Sequence, residues 1–218
     1  MLPLQDENPR RRKPLLTLLL IALNCGIFAW SFYEGTLPEL VDRFGCRPVD
    51  LLSGRHLETA LTSMFLHGSW LHLLGNMLFL WIFGDNIEDA FGRSRFLLLY
   101  LSAGVVALLL HAFFYPTSNV PLVGASGAIS GILGAYLVLF PRARVLTLVT
   151  AFYFWSVARV PAAVYLGFWI LLQFLYGTLF WVAGESSTVA YWAHVGGFLV
   201  GAAVALSNRR AFIERWYF

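Results

Sequence analysis

Charged residues are scarce in this chain. Of its 218 residues, only 12% are Asp, Glu, Lys or Arg, whereas 59% are hydrophobic. An ordinary soluble domain carries about 25% charged residues, so this composition excludes that class and is typical of a membrane protein.

Cysteine is nearly absent too. Cys25 lies in an apolar stretch and Cys46 in a polar one, so we expect no disulfide between them and cannot infer a redox compartment.

Six apolar segments are long enough, or nearly so, to cross a bilayer as helices. A spanning helix needs about 20 mostly apolar residues, because its backbone groups must bond to one another where water is absent. The apolar run from Val145 to Val157 is too short for this, and we interpret it as a loop or interfacial stretch. The predicted spans are residues 14–33, 66–84, 96–114, 125–140, 161–183 and 190–207.

The first span follows four basic residues, so it could also be a signal peptide. It has no convincing small-x-small cleavage site and is long for the apolar region of a signal, so we interpret it as a retained anchor. The sequence then divides into a basic cytoplasmic arm (1–13), a membrane domain (14–207) with a long outer loop (34–65), and a cytoplasmic tail (208–218).

The distribution of basic residues supports an even number of spans. Lys and Arg accumulate on the cytoplasmic side of membrane proteins. With six spans and a cytoplasmic N-terminus, twelve of the fifteen basic residues fall inside and only Arg43, Arg47 and Arg55 fall outside. We therefore predict an all-α membrane protein with six transmembrane helices and both termini in the cytoplasm.

The net charge of +3 requires no nucleic-acid partner. The basic residues orient the chain and meet anionic lipid headgroups, so the lipid bilayer is the expected partner. A bacterial-type plasma membrane is our prediction for the location. The sequence does not reveal the oligomeric state.

Polar side chains inside the predicted spans are costly and are functional candidates. His72 and Asn76 share a face near the start of the second span, because they are four residues apart. Ser126 opens the fourth span and His194 the sixth. All three spans run from outside to inside, so these four residues are predicted to lie near the outer surface at a similar depth.

This set of side chains suits nucleophilic catalysis. A serine hydroxyl becomes a good nucleophile when an adjacent base such as His194 takes its proton. The oxyanion that follows needs fixed hydrogen-bond donors, which His72, Asn76 and the Ser126 amide can supply. Glycines in the fourth and sixth spans would let the two helices approach closely enough for Ser126 to reach His194.

These residues also carry a resemblance to a known family. Gly124-Ala125-Ser126-Gly127, Ala193-His194-Val195-Gly196-Gly197 and His72-Leu73-Leu74-Gly75-Asn76 resemble the motifs of the rhomboid intramembrane serine proteases. The likeness extends to Phe65-Leu66-His67, Gly84, Glu88, Gly92 and Pro141-Arg142-Ala143-Arg144.

The resemblance implies a catalytic Ser126-His194 dyad without a third acid. It also implies an oxyanion site of His72, Asn76 and the Ser126 amide, with Gly124 in the loop that carries the nucleophile. The substrates would be transmembrane segments of other proteins, and no metal or other cofactor is implied. One turn after Ser126, where many relatives have an aromatic residue under the histidine ring, this chain has Ser130. A Trp-Arg pair frequent in the first loop is replaced by Glu58-Thr59.

Two other classes of function stay open. Small residues and polar groups in membrane helices often serve packing alone. An inactive relative or a small transporter would keep them for that reason. A metal-dependent hydrolase could use His67, His72 and His194, but the spans lack an H-E-x-x-H motif and a carboxylate at that depth.

His67 is predicted to tie the first loop to the second span, and Glu88 to pair with Arg93 or Arg95.

Overall fold

The computed structural model describes residues 1–151, 154–185 and 187–217, which are mostly helical. Within that range there are nine α-helices, three β-strands and a 3-10 turn at Ser63–Phe65. The elements in chain order are β1 Leu2–Asp6, α1 Leu15–Tyr33, α2 Leu37–Phe44, α3 Pro48–Leu52, α4 Thr59–Thr62, α5 Trp70–Phe91, α6 Arg93–Phe114, α7 Ser126–Leu139, β2 Arg144–Ala151, β3 Phe154–Pro161, α8 Ala162–Ala183 and α9 Tyr191–Tyr217.

Six helices overlap the six predicted spans, and α1, α6, α7 and α8 agree with the predicted bounds to within three residues. By length and composition, three helices of the described range can cross a membrane, namely α1, α6 and α8. The apolar helix α7 has only 14 residues. Helix α5 starts at Trp70 rather than at residue 66 and continues to Phe91, past three acidic residues. Helix α9 continues through most of the tail predicted at 208–218, whose last residue lies outside the described range.

Helix α7 forms the centre of the molecule. It packs against α5, α6, α8 and α9, and every residue from Gly127 to Tyr136 is buried. Its side chains are small near the start and large near the end, where Tyr136 packs edge-on against Phe83 of α5. The start of α7 can therefore approach neighbouring backbones, while its end fills the core.

The prediction of an all-α chain is wrong in one respect. The run from Val145 to Val157, which we interpreted as a loop or interfacial stretch, belongs to two antiparallel strands, β2 and β3. Residues 152 and 153 lie outside the described range. Strand β1, from the predicted basic arm, pairs with β2 to complete a three-stranded sheet. Strands β2 and β3 are rich in valine, threonine and aromatic residues, which favour strands.

The N-terminal arm is held at the end of the bundle opposite the start of α7. Arg10 forms an ion pair with Asp85 at 3.1 Å. The backbone amides of Arg11 and Arg12 both donate to Asp89 Oδ2 near the end of α5. The basic arm, the end of α5 and the sheet therefore share one end of the molecule.

Glu88 caps the first helix. Its carboxylate accepts hydrogen bonds from the backbone amides of Leu16 (3.0 Å) and Thr17 (2.8 Å), and from the Thr17 hydroxyl (2.9 Å). The predicted ion pair with Arg93 is confirmed at 3.9 Å. These bonds satisfy amides that a helix start leaves without partners, and the negative charge suits the positive end of the helix dipole.

We expect Glu88→Ala to lower the free energy of unfolding by about 1 to 3 kcal/mol, because it leaves buried donors without acceptors. Thermal unfolding in detergent measures the effect. The matched control is Glu39→Ala on α2, whose carboxylate is exposed. Equal melting temperatures for Glu88→Ala and Glu39→Ala would contradict the capping role.

Docking of the arm is expected to depend on pH through Asp6. Tyr136 donates its hydroxyl hydrogen to Asp6 Oδ2 at 2.6 Å, and burial raises the pKa of Asp6 from 3.8 to about 6. Because the docked arm binds this proton more tightly than the free arm, docking weakens as the pH rises from about 4 to about 6 and then stays constant. Hydrogen exchange of residues 1–13, corrected for its intrinsic pH dependence, should show this change, and Asp6→Asn should flatten it. Identical profiles for the two proteins would refute the prediction.

Candidate active site

Ser126 is the first residue of α7 and is half-buried. It borders a small cavity of about 30 Å³ whose other walls include Gly124, Ala190 and Ala193. A cavity of this size holds roughly one or two waters. As the first residue of a helix, Ser126 also has a backbone amide with no partner inside that helix. Ser126 thus borders a small, mostly apolar cavity at a helix start.

Glycines bring α7 and α9 into backbone contact. A Cβ atom added to Gly197 would overlap the carbonyl oxygen of Gly127, and one added to Gly201 would overlap that of Gly131. From the first contact to the second, the residue number increases by four on both helices, so α7 and α9 run parallel. In this register Ala193 O lies 3.9 Å from the position of a Cβ on Gly127. Ser126 precedes Gly127 and His194 follows Ala193, so Ser126 and His194 lie at the same level along the two helices.

The His194 ring is held from α8. Its Nδ1 lies 2.8 Å from Oε1 of Gln173, and its ring lies near Trp169, with centroids 5.7 Å apart. The aromatic neighbour of the histidine therefore comes from α8, whereas Ser130 donates its hydroxyl hydrogen to the Ser126 carbonyl at 2.7 Å. Sequence analysis missed Gln173. The signal for it in the sequence is an uncharged amide within an apolar span, where polar groups are costly.

Within the described part of the chain, no hydrogen bond joins Ser126 to His194. Catalytic hydrogen bonds are often long or poorly aligned in the absence of substrate, so this does not remove either residue from the candidate site. The structure thus brings α7 and α9 together at the level of Ser126 and His194, and these two side chains are not hydrogen-bonded to each other in the described part of the chain.

His72 and Asn76 face the loop that precedes Ser126. Gly124 in this loop has a φ of 124°, a conformation that favours glycine. A Cβ on Gly124 would lie 2.6 Å from His72 Nε2 and 3.5 Å from Asn76 Nδ2. The loop backbone therefore passes directly beside both side chains. His72, Asn76 and Ser126 therefore meet around Gly124. His194 lies on α9 at the level of Ser126.

Asn76 has a second partner in His67. Asn76 Nδ2 donates to His67 Nε2 at 2.9 Å, and both side chains are buried. An amide nitrogen carries two hydrogens, so one remains for another acceptor. The rings of His67 and His72 meet edge to face, with centroids 5.1 Å apart. His67 thus fixes the orientation of the Asn76 amide from the segment before α5, consistent with its predicted structural role.

Comparison with known proteins identifies the family. The model of the Rhomboid domain matches residues 54–210. The chain is 39% identical over 127 residues to "Rhomboid protease GluP" of Bacillus subtilis, covering 57% of this chain and 24% of that protein. It is 32% identical over 146 residues to "Rhomboid protein 1, mitochondrial" of Saccharomyces cerevisiae, covering 64% and 38%. "RHOMBOID-like protein 12, mitochondrial" of Arabidopsis thaliana is 32% identical over 213 residues, covering 89% and 58%.

The matched regions are only part of these relatives, from 24% to 58% of their own lengths. The family model, in contrast, covers most of this chain and includes the segments that carry Ser126, His194, His72 and Asn76. The resemblance noted from the sequence motifs is therefore confirmed at the level of the family. The chain belongs to the rhomboid family.

Proposed function

We propose that this protein is an intramembrane serine endopeptidase that cleaves transmembrane segments of other membrane proteins. The observation that supports the proposal is the backbone contact of α7 with α9, which brings the starts of the helices that carry Ser126 and His194 to one level. His72 and Asn76 border the loop that leads into Ser126. Packing alone would explain the glycines. It would not explain why a serine, two histidines and an asparagine gather at the same end of three helices.

The proposed reaction uses Ser126 and His194 in turn. Nε2 of His194 takes the proton of the Ser126 hydroxyl as the serine oxygen attacks the carbonyl carbon of the scissile bond. The same histidine then gives this proton to the departing amine, and an acyl-enzyme remains. A water molecule gives a proton to His194 and attacks the acyl carbon, and His194 returns this proton to the Ser126 oxygen as the bond to the acyl group breaks and the second product leaves.

The negative oxygen formed in each step needs donors already in place. The Ser126 amide is free of helical partners, and the Asn76 amide and the His72 ring border the same loop. The positive end of the α7 dipole points to the same place. Loss of one such donor typically lowers the rate on the order of 10²- to 10³-fold.

We further propose six spans with both termini in the cytoplasm, so that the active site opens to the outer side of a bacterial-type plasma membrane. The separation of the basic arm from the start of α7 supports opposite faces for the two. The relatives include bacterial and mitochondrial proteins, so the comparisons leave the kind of membrane undecided between these.

The alternative function is that of an inactive rhomboid-like protein that binds transmembrane clients. The observation that favours this alternative is that Ser126 and His194 share no hydrogen bond within the described residues. Incubation of the purified protein with a transmembrane substrate in proteoliposomes separates the two. A protease yields cleavage that serine-directed reagents block and chelators do not affect, whereas a client-binding relative yields intact substrate. Loss of cleavage with a chelator would instead indicate a metal-dependent hydrolase.

A further inference from the structure

Helix α8 carries a buried amide among mostly apolar side chains. The helix faces outward with large apolar side chains such as Phe168, Leu175 and Leu179, all exposed. Gln173 lies on the buried face of this helix, and only 9% of its surface is exposed. A buried amide costs free energy unless its polar atoms are bonded. Gln173 is therefore expected to have a specific partner, and the structure provides one on α9.

The hydrogen bonds of Gln173 define the state of the His194 ring. The Gln173 amide nitrogen donates to the backbone carbonyl of Trp169 at 3.4 Å, so its oxygen faces His194 Nδ1 at 2.8 Å. A carbonyl oxygen can only accept, so the hydrogen of the neutral ring must lie on Nδ1. Nε2 then keeps its lone pair, which a general base needs.

Two residues of α8, one turn apart, hold the same imidazole. Gln173 binds its Nδ1, and Trp169 packs near its ring at a centroid distance of 5.7 Å. The other titratable groups near His194 are His72 from α5 and His111 from α6. Neither forms a hydrogen bond to the His194 ring in the described residues. The orientation of the ring thus depends on α8.

We propose that Gln173 is a positioning residue for His194, holding the Nδ1–H tautomer so that Nε2 is free to take the Ser126 proton. This inference rests on the proposed protease function and adds a third participant to the dyad. Gln173 contacts Nδ1 of His194 rather than Nε2, the nitrogen proposed to take the proton. Its effect passes through the tautomer and the orientation of the imidazole.

The tautomer can be measured without any assay of activity. In protein labelled with ¹⁵N-histidine and kept at a pH where the ring is neutral, the His194 signals are assigned by their loss in His194→Gln. The wild type should show the Nδ1–H form, and Gln173→Met should show a mixture or the Nε2–H form. Thr178→Val is the matched control, because the Thr178 hydroxyl donates only to the Phe174 carbonyl of its own helix. A wild-type ring in the Nε2–H form overturns the inference.

Kinetics then separate positioning from simple packing. Gln173→Met should lower kcat on the order of 10- to 100-fold, with KM within about twofold, because binding is intact and proton transfer is impaired. Gln173→Glu keeps an acceptor for Nδ1 and should recover most of this loss. Its negative charge favours the protonated ring, so the acidic limb of the rate profile should move to higher pH.

The two proposals fail in different ways. If the wild type holds the Nδ1–H form through Gln173 but cleaves nothing, the protease function falls while the pairing stands. If the wild type cleaves, and Gln173→Met keeps both its rate and its tautomer, the positioning role falls while the protease function stands. A Gln173→Met protein that does not fold leaves the Gln173→Glu shift and the wild-type tautomer to decide.

Discussion

Replacement of Ser126 by alanine is expected to lower the rate of substrate cleavage on the order of 10⁴-fold or more, while the protein still folds. The hydroxyl is half-buried and makes no hydrogen bond in the described part of the chain, so its loss removes chemistry rather than packing. His194→Ala should have a similar effect. The double variant should be no slower than either single one, because residues that act as a unit are not additive.

Ser130→Ala is the matched control for the serine. Ser130 lies one turn further along α7, and its hydroxyl bonds the Ser126 carbonyl, so the change removes a hydroxyl from the same helix without touching the proposed nucleophile. Its cleavage rate should stay near that of the wild type. The cleavage rate of Asn76→Ala should lie between those of Ser130→Ala and Ser126→Ala, on the order of 10²- to 10³-fold below wild type. Full cleavage by Ser126→Ala would remove the mechanism.

The second large effect is expected at a glycine far from the reacting atoms. In Gly201→Ala the new methyl group would overlap the Gly131 carbonyl, which is backbone and cannot rotate away. Helices α7 and α9 must then move apart, and Ser126 moves relative to His194. A misplacement of about 1 Å can cost on the order of 10²-fold in rate. Cleavage assays and thermal unfolding should therefore both show losses.

Gly26→Ala in α1 provides the matched control, because a Cβ at Gly26 meets nothing within 4 Å. Alanine is the better helix former by about 1 kcal/mol in soluble helices, so this variant should be at least as stable as wild type and as active. If Gly201→Ala kept full activity and an unchanged melting temperature, close contact of α7 and α9 would not be what positions the site.

The long helices and the gathering of the site could be predicted from the sequence because both rest on strong local signals. Apolar length marks the spans, and Ser126, His194, His72 and Asn76 are polar residues where polarity is costly. The direction of each span then places all four near one end. The contact of α7 with α9 also followed from their glycines.

The remaining features depend on partners distant in sequence. The strands Arg144–Ala151 and Phe154–Pro161 are too short as an apolar run to span a bilayer, and their β-branched residues are the local signal that favours strands. The third strand of their sheet, Leu2–Asp6, comes from the opposite end of the chain, so no local pattern indicates the pairing. Gln173 likewise acquires meaning only when α8 packs beside His194.

The central claim is that His194 activates Ser126 for attack. The most direct test is reaction of the detergent-purified protein with a fluorophosphonate probe, comparing wild type, Ser126→Ala and His194→Ala by gel and intact mass. The account predicts a single adduct on the wild type and none on either variant. A well-folded wild type that does not react, or a Ser126→Ala variant that still does, would contradict it.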